Sequence, residues 1–409
     1  MNQRKSLKIG IDARFVGPSG TGLGKYTEKL IEILNKIDSK NQYFIFLGKA
    51  NWDYLKIGKN FKKILADVPW YSLSEQVKLP KIFKSQSLDL LHVPHFNAPI
   101  FYKSPFIITI HDLIHHQFSE SSVTTKNPLI FKIKRFSYRF VINHAIKNSK
   151  KILVPSNFVK NELIRIFGIN PQKITVTYEA AEEEYCDNQK PAFVPSSGRR
   201  ETRNQKLLDE YHIKTPFIIY VGNAYPHKNL KKLLQAFKIL VHSSKFTVHS
   251  KKGSVNHQLS TKNLKLILVC SRDVFWQRLA KQVHDQKLNG RVIMTGYIPA
   301  RELSVIFRQA KAYVFPSLSE GFGIPGLNAM AAGLPVVCSN IPTLKEVYKD
   351  AALYFNPHSP KDIAAKINQV LIDKKTRSDL VEKGREQVKK YSWQKMAKET
   401  LEAYQQISA

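Results

Sequence analysis

The chain has 409 residues, of which 43% are hydrophobic and 23% are charged, and its formal net charge is +32. This composition excludes an intrinsically disordered chain, and the length favours two domains over one. Apolar runs fall short of the roughly 20 residues that a transmembrane helix needs, and the basic start of the chain lacks the apolar core of a signal peptide. Cys186, Cys270 and Cys338 give neither a disulfide framework nor a metal spacing. We therefore expect a cytoplasmic protein.

Short apolar runs alternate with helical patterns along the first half of the chain. LKIGID predicts a strand, and GKYTEKLIEILNKI predicts a helix with apolar residues at helical spacing. Further strands are predicted at YFIFLG, LDLLHV, PFIITIHD, KILVPS and KITVTYEA, apolar on both faces as buried parallel strands are. SNFVKNELIRIFG opens with a serine cap and closes at Gly168, which predicts a helix.

A second series of strands and helices begins at PFIIYVGN. It continues through NLKKLLQAFKILV, LKLILVC, RVIMTG, KAYVFPS and LPVVCS, and the chain is helical from Lys361 on. Residues 186–208 lack periodicity and predict a linker. The sequence therefore predicts an α/β protein with an N-terminal domain at 1–185, a second domain at 209–390 and a last helical segment at 391–409. Each domain is expected to hold a doubly wound parallel sheet.

Ligands of such sheets bind at the carboxyl ends of strands, and the cleft between two such domains is the expected site. Residues 17–27, GPSGTGLGKYT, follow the first strand and match neither a P-loop nor a dinucleotide fingerprint. The glycines, among them Gly20 and Gly22, nevertheless allow backbone amides to approach an anion at a helix N-terminus. The alternative is a tight turn that needs a positive φ.

Histidines follow two predicted strands of the first half. His111 and Asp112 lie just past the strand PFIITIHD, where a histidine can serve as a hydrogen-bonding or acid–base group. His92 and His95 mark the end of the preceding strand and are candidates for the same cleft. A histidine at a strand end is as often structural as functional, and none of this spacing predicts a zinc site.

Two stretches of the second half predict anion binding. Asn223 lies at the end of one strand, and Lys228 precedes a helix, where a lysine suits a phosphate oxygen. Residues 318–337 place Glu320 in a loop before a helix that has Pro325 in its first turn and Gly333 past its end. The amides of Gly323, Ile324 and Gly326 are predicted to face a bound anion. Lys228 and this helix would then hold a diphosphate, which leaves Glu320 to bind hydroxyls.

These stretches together resemble the group 1 (family 4) glycosyltransferases of the GT-B fold. The matching segments, in the order of that family, are IGIDARF…GTGLGKY, TIHDL, VGNAYPHKNLKKLLQAF, GYIP, VFPSLSEGFGIPGLNAMAAGLPVV and IPTLKEV. The resemblance implies two Rossmann-like domains that face each other across a cleft, with a C-terminal helix crossing back to the first domain. Mannosyltransferase-like members that act on surface polysaccharides are especially similar.

The resemblance also implies site residues. His111 and Glu320 would be catalytic and contact the donor sugar, and His95 and Asp112 would lie on the acceptor side. Donor binding would involve Gly20, Gly22, Asn223, Lys228, Thr295, Gly296, Tyr297, Gly321, Phe322, Gly323, Ile324 and Asn328. The donor is a nucleotide-diphosphate sugar as co-substrate, and neither a metal nor another cofactor is expected, since the sequence contains no Asp-x-Asp motif.

The chain departs from the family pattern at three positions. Asn223 stands where arginine is common, and Tyr178-Glu179-Ala180 stands where Tyr-Asn-Gly is usual. The family has a glutamate, seven residues and a second glutamate that grips the ribose, and here the second position is Asn328. An asparagine donates and accepts but carries no charge, and charge-assisted bonds are about twice as strong as neutral ones, so weaker donor binding is expected.

The implied function is retaining transfer of a hexose, best matched by mannose from GDP-mannose, to a glycan or lipid-linked acceptor in cell-surface polysaccharide synthesis. The alternative is a catalytically weakened or inactive scaffold of the same fold. The net charge alone would fit a nucleic-acid binder, but no nucleic-acid motif supports one. Residues 126–160 are basic and contain interleaved aromatic residues. No acidic residue occurs between Glu120 and Glu162. They predict either a segment that docks on an anionic membrane or a core helix with a basic outer face.

Overall fold

The computed structural model describes residues 6–17, 21–117, 128–186, 198–242 and 263–407. The chain divides into two compact units. The N-terminal unit comprises Met1–Glu179 and Ser392–Ala409, and the C-terminal unit comprises Ala180–Tyr391. Helix Gly198–Glu210 begins within the segment 186–208 that the sequence predicts to be a linker and extends past its end, and residues 187–197 of that segment lie outside the described residues.

A seven-stranded parallel sheet forms the centre of the N-terminal unit. Its strands are β1 (Lys8–Asp12), β2 (Gln42–Leu47), β3 (Phe61–Leu65), β4 (Leu90–Val93), β5 (Phe106–Thr109), β6 (Lys151–Val154) and β7 (Ile174–Val176). Their spatial order is β3-β2-β1-β4-β5-β6-β7. The inner strands are buried on both faces because helices cover the sheet on either side, as parallel sheets require. The helices of this part are α1 (Thr21–Ile37), α2 (Leu73–Lys84), α3 (Ile114–Gln117), α4 (Pro128–Asn148) and α5 (Asn157–Phe167).

Helix α5 shows how the sequence sets a helix boundary. The Ser156 side chain accepts a hydrogen bond from the Val159 amide, which satisfies one of the free donors at the helix start. Gly168 ends the helix with a φ of 62°, a left-handed conformation that costs glycine little. The predicted helix is therefore confirmed with both of its caps.

A six-stranded parallel sheet forms the centre of the C-terminal unit. Its strands are β8 (Phe217–Val221), β9 (Lys265–Val269), β10 (Val292–Met294), β11 (Tyr313–Phe315), β12 (Val336–Ser339) and β13 (Ala352–Phe355), in the order β10-β9-β8-β11-β12-β13. The helices are α6 (Glu183–Cys186), α7 (Gly198–Glu210), α8 (Leu230–His242), α9 (Val274–Asp285), α10 (Ala300–Gln309), α11 (Ile324–Ala331), α12 (Pro342–Tyr348), α13 (Pro360–Ile372) and α14 (Lys374–Val388).

The last helix, α15 (Trp393–Ile407), belongs to the N-terminal unit, where it packs against α1. The Tyr404 hydroxyl, fully buried on α15, is 2.7 Å from Nδ1 of His92 on β4. The doubly wound parallel class that the sequence predicts is confirmed in both units. Within the described ranges, no helix combines the length and the apolar character needed to cross a bilayer.

The strand orders show where ligands of each unit are expected. In the N-terminal sheet the chain winds outward from β1 to β3 and then restarts at β4, on the other side of β1. In the C-terminal sheet it winds from β8 to β10 and restarts at β11, beside β8. Ligands of such sheets bind where the winding direction reverses, beyond the carboxyl ends of the two central strands. The loops after β1 and β4, and those after β8 and β11, are therefore the expected ligand-binding loops.

Candidate functional site

The loop after β8 is tied to the loop after β11. A short 3₁₀ turn, Pro226–Lys228, ends at Asn229, which has a φ of 58°. The Asn229 side chain donates to the carbonyls of Pro316 and Pro357 at 3.1 and 2.8 Å. Asn223 accepts from the Tyr225 amide at 3.3 Å through its side chain. These bonds fix the backbone on either side of Lys228.

Lys228 and Glu320 form an ion pair at this reversal point. The Lys228 Nζ lies 2.6 Å from Oε1 of Glu320, and the two side chains are 14% and 10% exposed. The same ammonium lies 5.8 Å from the centre of the Phe315 ring. The Glu320 carbonyl accepts from the hydroxyl of buried Thr343 at 2.8 Å. Glu320 is thus held by direct contact with Lys228, whereas the sequence predicts that Lys228 contacts a diphosphate and leaves Glu320 to bind hydroxyls.

The N-terminus of α11 follows immediately. Gly323 precedes the helix with a φ of 103°, and its carbonyl accepts from the Tyr348 hydroxyl. A Cβ at Gly326 would lie only 2.2 Å from that hydroxyl, so the helix packs closely on Tyr348. The Gly326 amide donates to the Gly323 carbonyl at 3.1 Å. This corrects the prediction that the Gly326 amide faces an anion, because a turn within the helix start already uses it, and leaves the amides of Gly323 and Ile324 as candidates.

The rest of the glycine-rich loop is largely structural. Phe322 is 3% exposed, and its ring meets that of Tyr391 edge-on at 5.4 Å. Its side chain is therefore a packing anchor, and a ligand contact at Gly321 and Phe322 would have to come from the main chain. Such anchoring keeps the loop in one conformation between β11 and α11, which is what a preorganised site needs.

The loop after β10 carries Thr295, Gly296 and Tyr297. Gly296 has a φ of 86°, and the Tyr297 side chain is 69% exposed. The Arg272 guanidinium, from the loop after β9, donates to the Thr295 carbonyl at 3.4 Å and lies 5.9 Å from the ring of Trp276. Arg272 was not predicted as a site residue, although its position just past the strand LKLILVC is the signal that would have identified it.

Asn328 lies in the second turn of α11 and is 5% exposed. Its Oδ1 accepts from the Glu182 amide at 2.9 Å, and its Nδ2 donates to the Glu182 carboxylate at 3.0 Å. Both polar atoms of the asparagine are thus engaged by one residue, which the sequence analysis did not single out. The carboxylate of Glu182 therefore lies beside the position where the family pattern has its second acid.

In the N-terminal unit, His111 is held at both ring nitrogens. Its Nδ1 is 3.0 Å from Oε1 of Glu179, and its Nε2 is 3.2 Å from the Pro94 carbonyl. Both partners are hydrogen-bond acceptors, so each ring nitrogen of His111 lies beside a group that can only accept. Glu179 is 5% exposed and stands where the family pattern has asparagine. It is therefore a positioning residue for His111, although in the sequence Glu179 stands out only as a departure from the family pattern.

The other histidines and Asp112 have distinct surroundings. His92 is fully buried between the hydroxyls of Tyr404 and Thr109, and burial lowers its pKa to about 3. This corrects the expectation that His92 is a cleft residue, because its strand position faces the core. His95 is half-buried and packs against Phe15, Tyr71 and Phe96.

Asp112 caps α3, since its carboxylate accepts from the Ile114 amide at 3.0 Å. Gly20 lies outside the described residues, and Gly22 is in the first turn of α1. A Cβ at Gly22 would meet nothing within 4 Å, whereas one at Gly24 would lie 2.3 Å from the Phe15 carbonyl. The close backbone approach that this loop requires is therefore at Gly24.

Comparison with known proteins agrees with this architecture. The profile described as Glycosyl transferases group 1 matches residues 199–387, and that described as Glycosyltransferase Family 4 matches residues 50–184. O-antigen chain mannosyltransferase RfbU of Salmonella typhimurium is 26% identical over 366 residues, which cover 87% of this chain and 88% of that protein. O-antigen chain mannosyltransferase B of Escherichia coli is 30% identical over 268 residues, which cover 64% of this chain and 62% of that protein.

Among solved structures, a sucrose-phosphate synthase from Thermosynechococcus elongatus shares the fold, with a TM-score of 0.72 at 19% identity and 98% coverage of both chains. The group 1 profile lies within the C-terminal unit, and the Family 4 profile covers the N-terminal unit from residue 50 to its boundary at Glu179. The chain therefore belongs to the group 1 (family 4) glycosyltransferases of the GT-B fold and is similar to O-antigen mannosyltransferases.

Proposed function

We propose that this glycosyltransferase moves a hexose from a nucleotide-diphosphate sugar to a glycan or lipid-linked acceptor, with retention of configuration. The observation that carries the proposal is the Lys228–Glu320 pair, which lies at the winding reversal of the C-terminal sheet beside the start of α11. Such a site offers one cation and a helix N-terminus to a diphosphate. Mannose from GDP-mannose is the proposed donor, because the similar proteins are named as mannosyltransferases.

The proposed chemistry needs charge stabilisation on the leaving group. The C1–O bond to the diphosphate breaks with its electron pair leaving on the phosphate oxygen. The acceptor hydroxyl oxygen bonds to C1 on the same face, and its proton passes to the leaving phosphate oxygen. Lys228 and the α11 N-terminus stabilise the negative charge that develops. Once the diphosphate binds Lys228, the Glu320 carboxylate is released to accept hydrogen bonds from the sugar hydroxyls.

We propose roles for the remaining predicted residues as well. Asn223 and the main chain of 321–324 assist the diphosphate, and the main chain of 295–297 frames the base. His111, held by Glu179, is the proposed catalytic contact of the N-terminal unit, and His95 and Asp112 are its proposed acceptor-side groups. We propose that the reaction needs no metal and takes place in the cytoplasm.

A donor screen tests this function. Purified protein is incubated with GDP-mannose and with other nucleotide sugars, and hydrolysis or transfer is measured for the wild type, for Glu320→Gln and for the exposed control Glu386→Gln. We expect turnover of one donor, loss of about 10²-fold or more in Glu320→Gln, and wild-type rates in the control. An undiminished Glu320→Gln rate would show that the site is misassigned. Failure of every donor to react or to raise the melting temperature would favour the scaffold alternative.

We also propose that α4 docks on an anionic membrane. In its described part, Phe136 and Phe140 are 73% and 55% exposed and lie four residues apart, on the same side of the helix. Arg139 and Lys147 are exposed as well, whereas Ile142 is fully buried in the core. An apolar stripe flanked by cations is typical of helices that lie in the headgroup region.

Vesicle sedimentation tests the docking. We expect the wild type to bind vesicles with anionic lipid and to lose most of that binding when both Phe136 and Phe140 are changed to serine, because apolar insertion and charge act together. Changing exposed Phe101 to serine is the control. Equal binding of the double variant would refute the docking helix, and stronger salt-dependent retention on DNA than on vesicles would support nucleic-acid binding instead.

A further inference from the structure

The pairing of Asn328 with Glu182 shows how this chain can do without the second acid of the family pattern. The asparagine accepts from the Glu182 amide and donates to the Glu182 carboxylate. A glutamate at 328 could accept from the amide but could not donate to the carboxylate. The two carboxylates would then lie about 3 Å apart, and such close like charges do not both stay ionised. Asparagine at 328 and glutamate at 182 are therefore a matched pair.

The effect of this pair is to relocate a negative charge. The family pattern places a carboxylate on α11, whereas here the carboxylate is on the segment just before α6 and is fixed by a neutral donor on α11. Asn328 is 5% exposed, and Glu182 is partly exposed to solvent. Of the two residues, Glu182 is thus the more exposed to solvent.

The position of Asn328 along α11 matches the place expected for the ribose of a bound nucleotide. If the diphosphate is held at Ile324, then Asn328 lies four residues further along the same side of the helix, which is about 6 Å along its axis. The ribose is the next group after the diphosphate in any nucleoside diphosphate. A carboxylate has about four lone-pair sites on its two oxygens, and the Asn328 amide donates to one of these oxygens. It therefore has more acceptor capacity for a pair of neighbouring hydroxyls than the single amide oxygen of Asn328, which accepts from the Glu182 amide.

We propose that Glu182, held in place by Asn328, is the acid that binds the ribose diol of the donor nucleotide. This proposal rests on the proposed function, since it requires a nucleotide donor. It changes the role of Asn328 from a weak ribose contact to a positioning residue, and it removes the expectation that donor binding is weakened by the missing second acid.

The test compares how tightly the wild type and its variants bind a nucleoside diphosphate with and without its ribose hydroxyls. Dissociation constants are measured by calorimetry for ADP, GDP and UDP and for the 2′,3′-dideoxy form of the one that binds most tightly. For the wild type we expect the ribose form to bind about 10- to 100-fold more tightly than its dideoxy form, as hydrogen bonds to a charged acceptor do. Glu182→Gln should lose most of this preference, with unchanged affinity for the dideoxy form.

Three further variants serve as controls for the test. Glu183→Gln removes a neighbouring exposed acid and should keep the full ribose preference. The swap Glu182→Gln with Asn328→Glu returns the acid to α11 and should regain the preference, whereas Asn328→Glu alone should bind the ribose form less tightly than the wild type does. Melting temperatures of all variants confirm that each one is folded.

The outcomes separate this proposal from the function on which it rests. If the wild type binds and uses a nucleotide sugar but Glu182→Gln keeps the ribose preference, the role of Glu182 is refuted and the function stands. The same holds if the wild type binds both ligand forms equally. If the wild type binds no nucleoside diphosphate and uses no donor, the proposed function itself fails, and the proposal fails with it.

Discussion

The Lys228→Ala variant is expected to lose about 10²- to 10³-fold in kcat/KM, because it removes the cation that stabilises the leaving diphosphate. It should also lose stability, because the Glu320 side chain is only 10% exposed and would lose its partner at 2.6 Å. We expect a loss of about 2 kcal/mol, which is below the cost of breaking a fully buried pair because some solvent reaches both side chains. Kinetics with the identified donor and urea denaturation measure the two effects.

A double substitution separates the effect on activity from the effect on stability. Lys228→Met combined with Glu320→Gln removes both charges, so stability should return towards that of the wild type while activity stays low. The matched control is Lys231→Ala, which removes an exposed lysine at the start of α8 and should change neither quantity. An unchanged kcat/KM in Lys228→Ala would contradict the assignment of Lys228 to the diphosphate.

The central strands of both sheets could be predicted from the sequence, but two edge strands could not. The inner strands are continuous apolar runs because both of their faces are covered, and that pattern is visible without a structure. β3 contains two lysines, Lys62 and Lys63, and β13 is only half-buried at its centre. Both lie at the edge of a sheet, where one side of the strand faces solvent and the apolar signal is diluted.

The same limit applies to the candidate site. Lys228 and Glu320 could be selected because each follows a strand, and the winding order then places those strands side by side. Their direct contact spans 92 positions of the chain, and the Asn328–Glu182 contact spans 146. No local pattern encodes such partners, so the sequence showed that Asn328 departs from the family pattern but could not show which residue compensates for it. The contact of Glu179 with His111 spans 68 positions and could not be predicted for the same reason.

For His92, by contrast, the sequence predicted a site residue that the structure places in the core. Its place near a strand end resembles that of His111, and the sequence offers no means of telling the two apart. The structure separates them by their partners, because His92 meets two buried hydroxyls whereas His111 meets a carboxylate and a carbonyl. The buried imidazole of His92, bonded to hydroxyls, joins β4 to α15, whereas the imidazole of His111 lies beside a carboxylate that can orient it for chemistry.

Gly326→Ala is expected to destabilise the C-terminal unit by about 3 kcal/mol, the upper end of the cost of overpacking a core. The new Cβ would lie 2.2 Å from the Tyr348 hydroxyl and 2.5 Å from the ring carbon that bears it. Tyr348 is fully buried, so its ring has no room to move away. The gain of about 1 kcal/mol in helix propensity from glycine to alanine is too small to offset this clash. Urea denaturation followed by circular dichroism measures the loss.

Gly22→Ala is the matched control, because Gly22 also lies in the first turn of a helix but a Cβ there meets nothing within 4 Å. It should raise stability by about 0.5–1 kcal/mol, since alanine is the better helix former. Tyr348→Phe should not rescue Gly326→Ala, because the contact with the ring carbon persists at 2.5 Å. Full rescue would show that only the hydroxyl opposes the new methyl group. Without rescue, the tyrosine ring itself sets the position of the α11 N-terminus, and donor affinity should fall together with stability in Gly326→Ala.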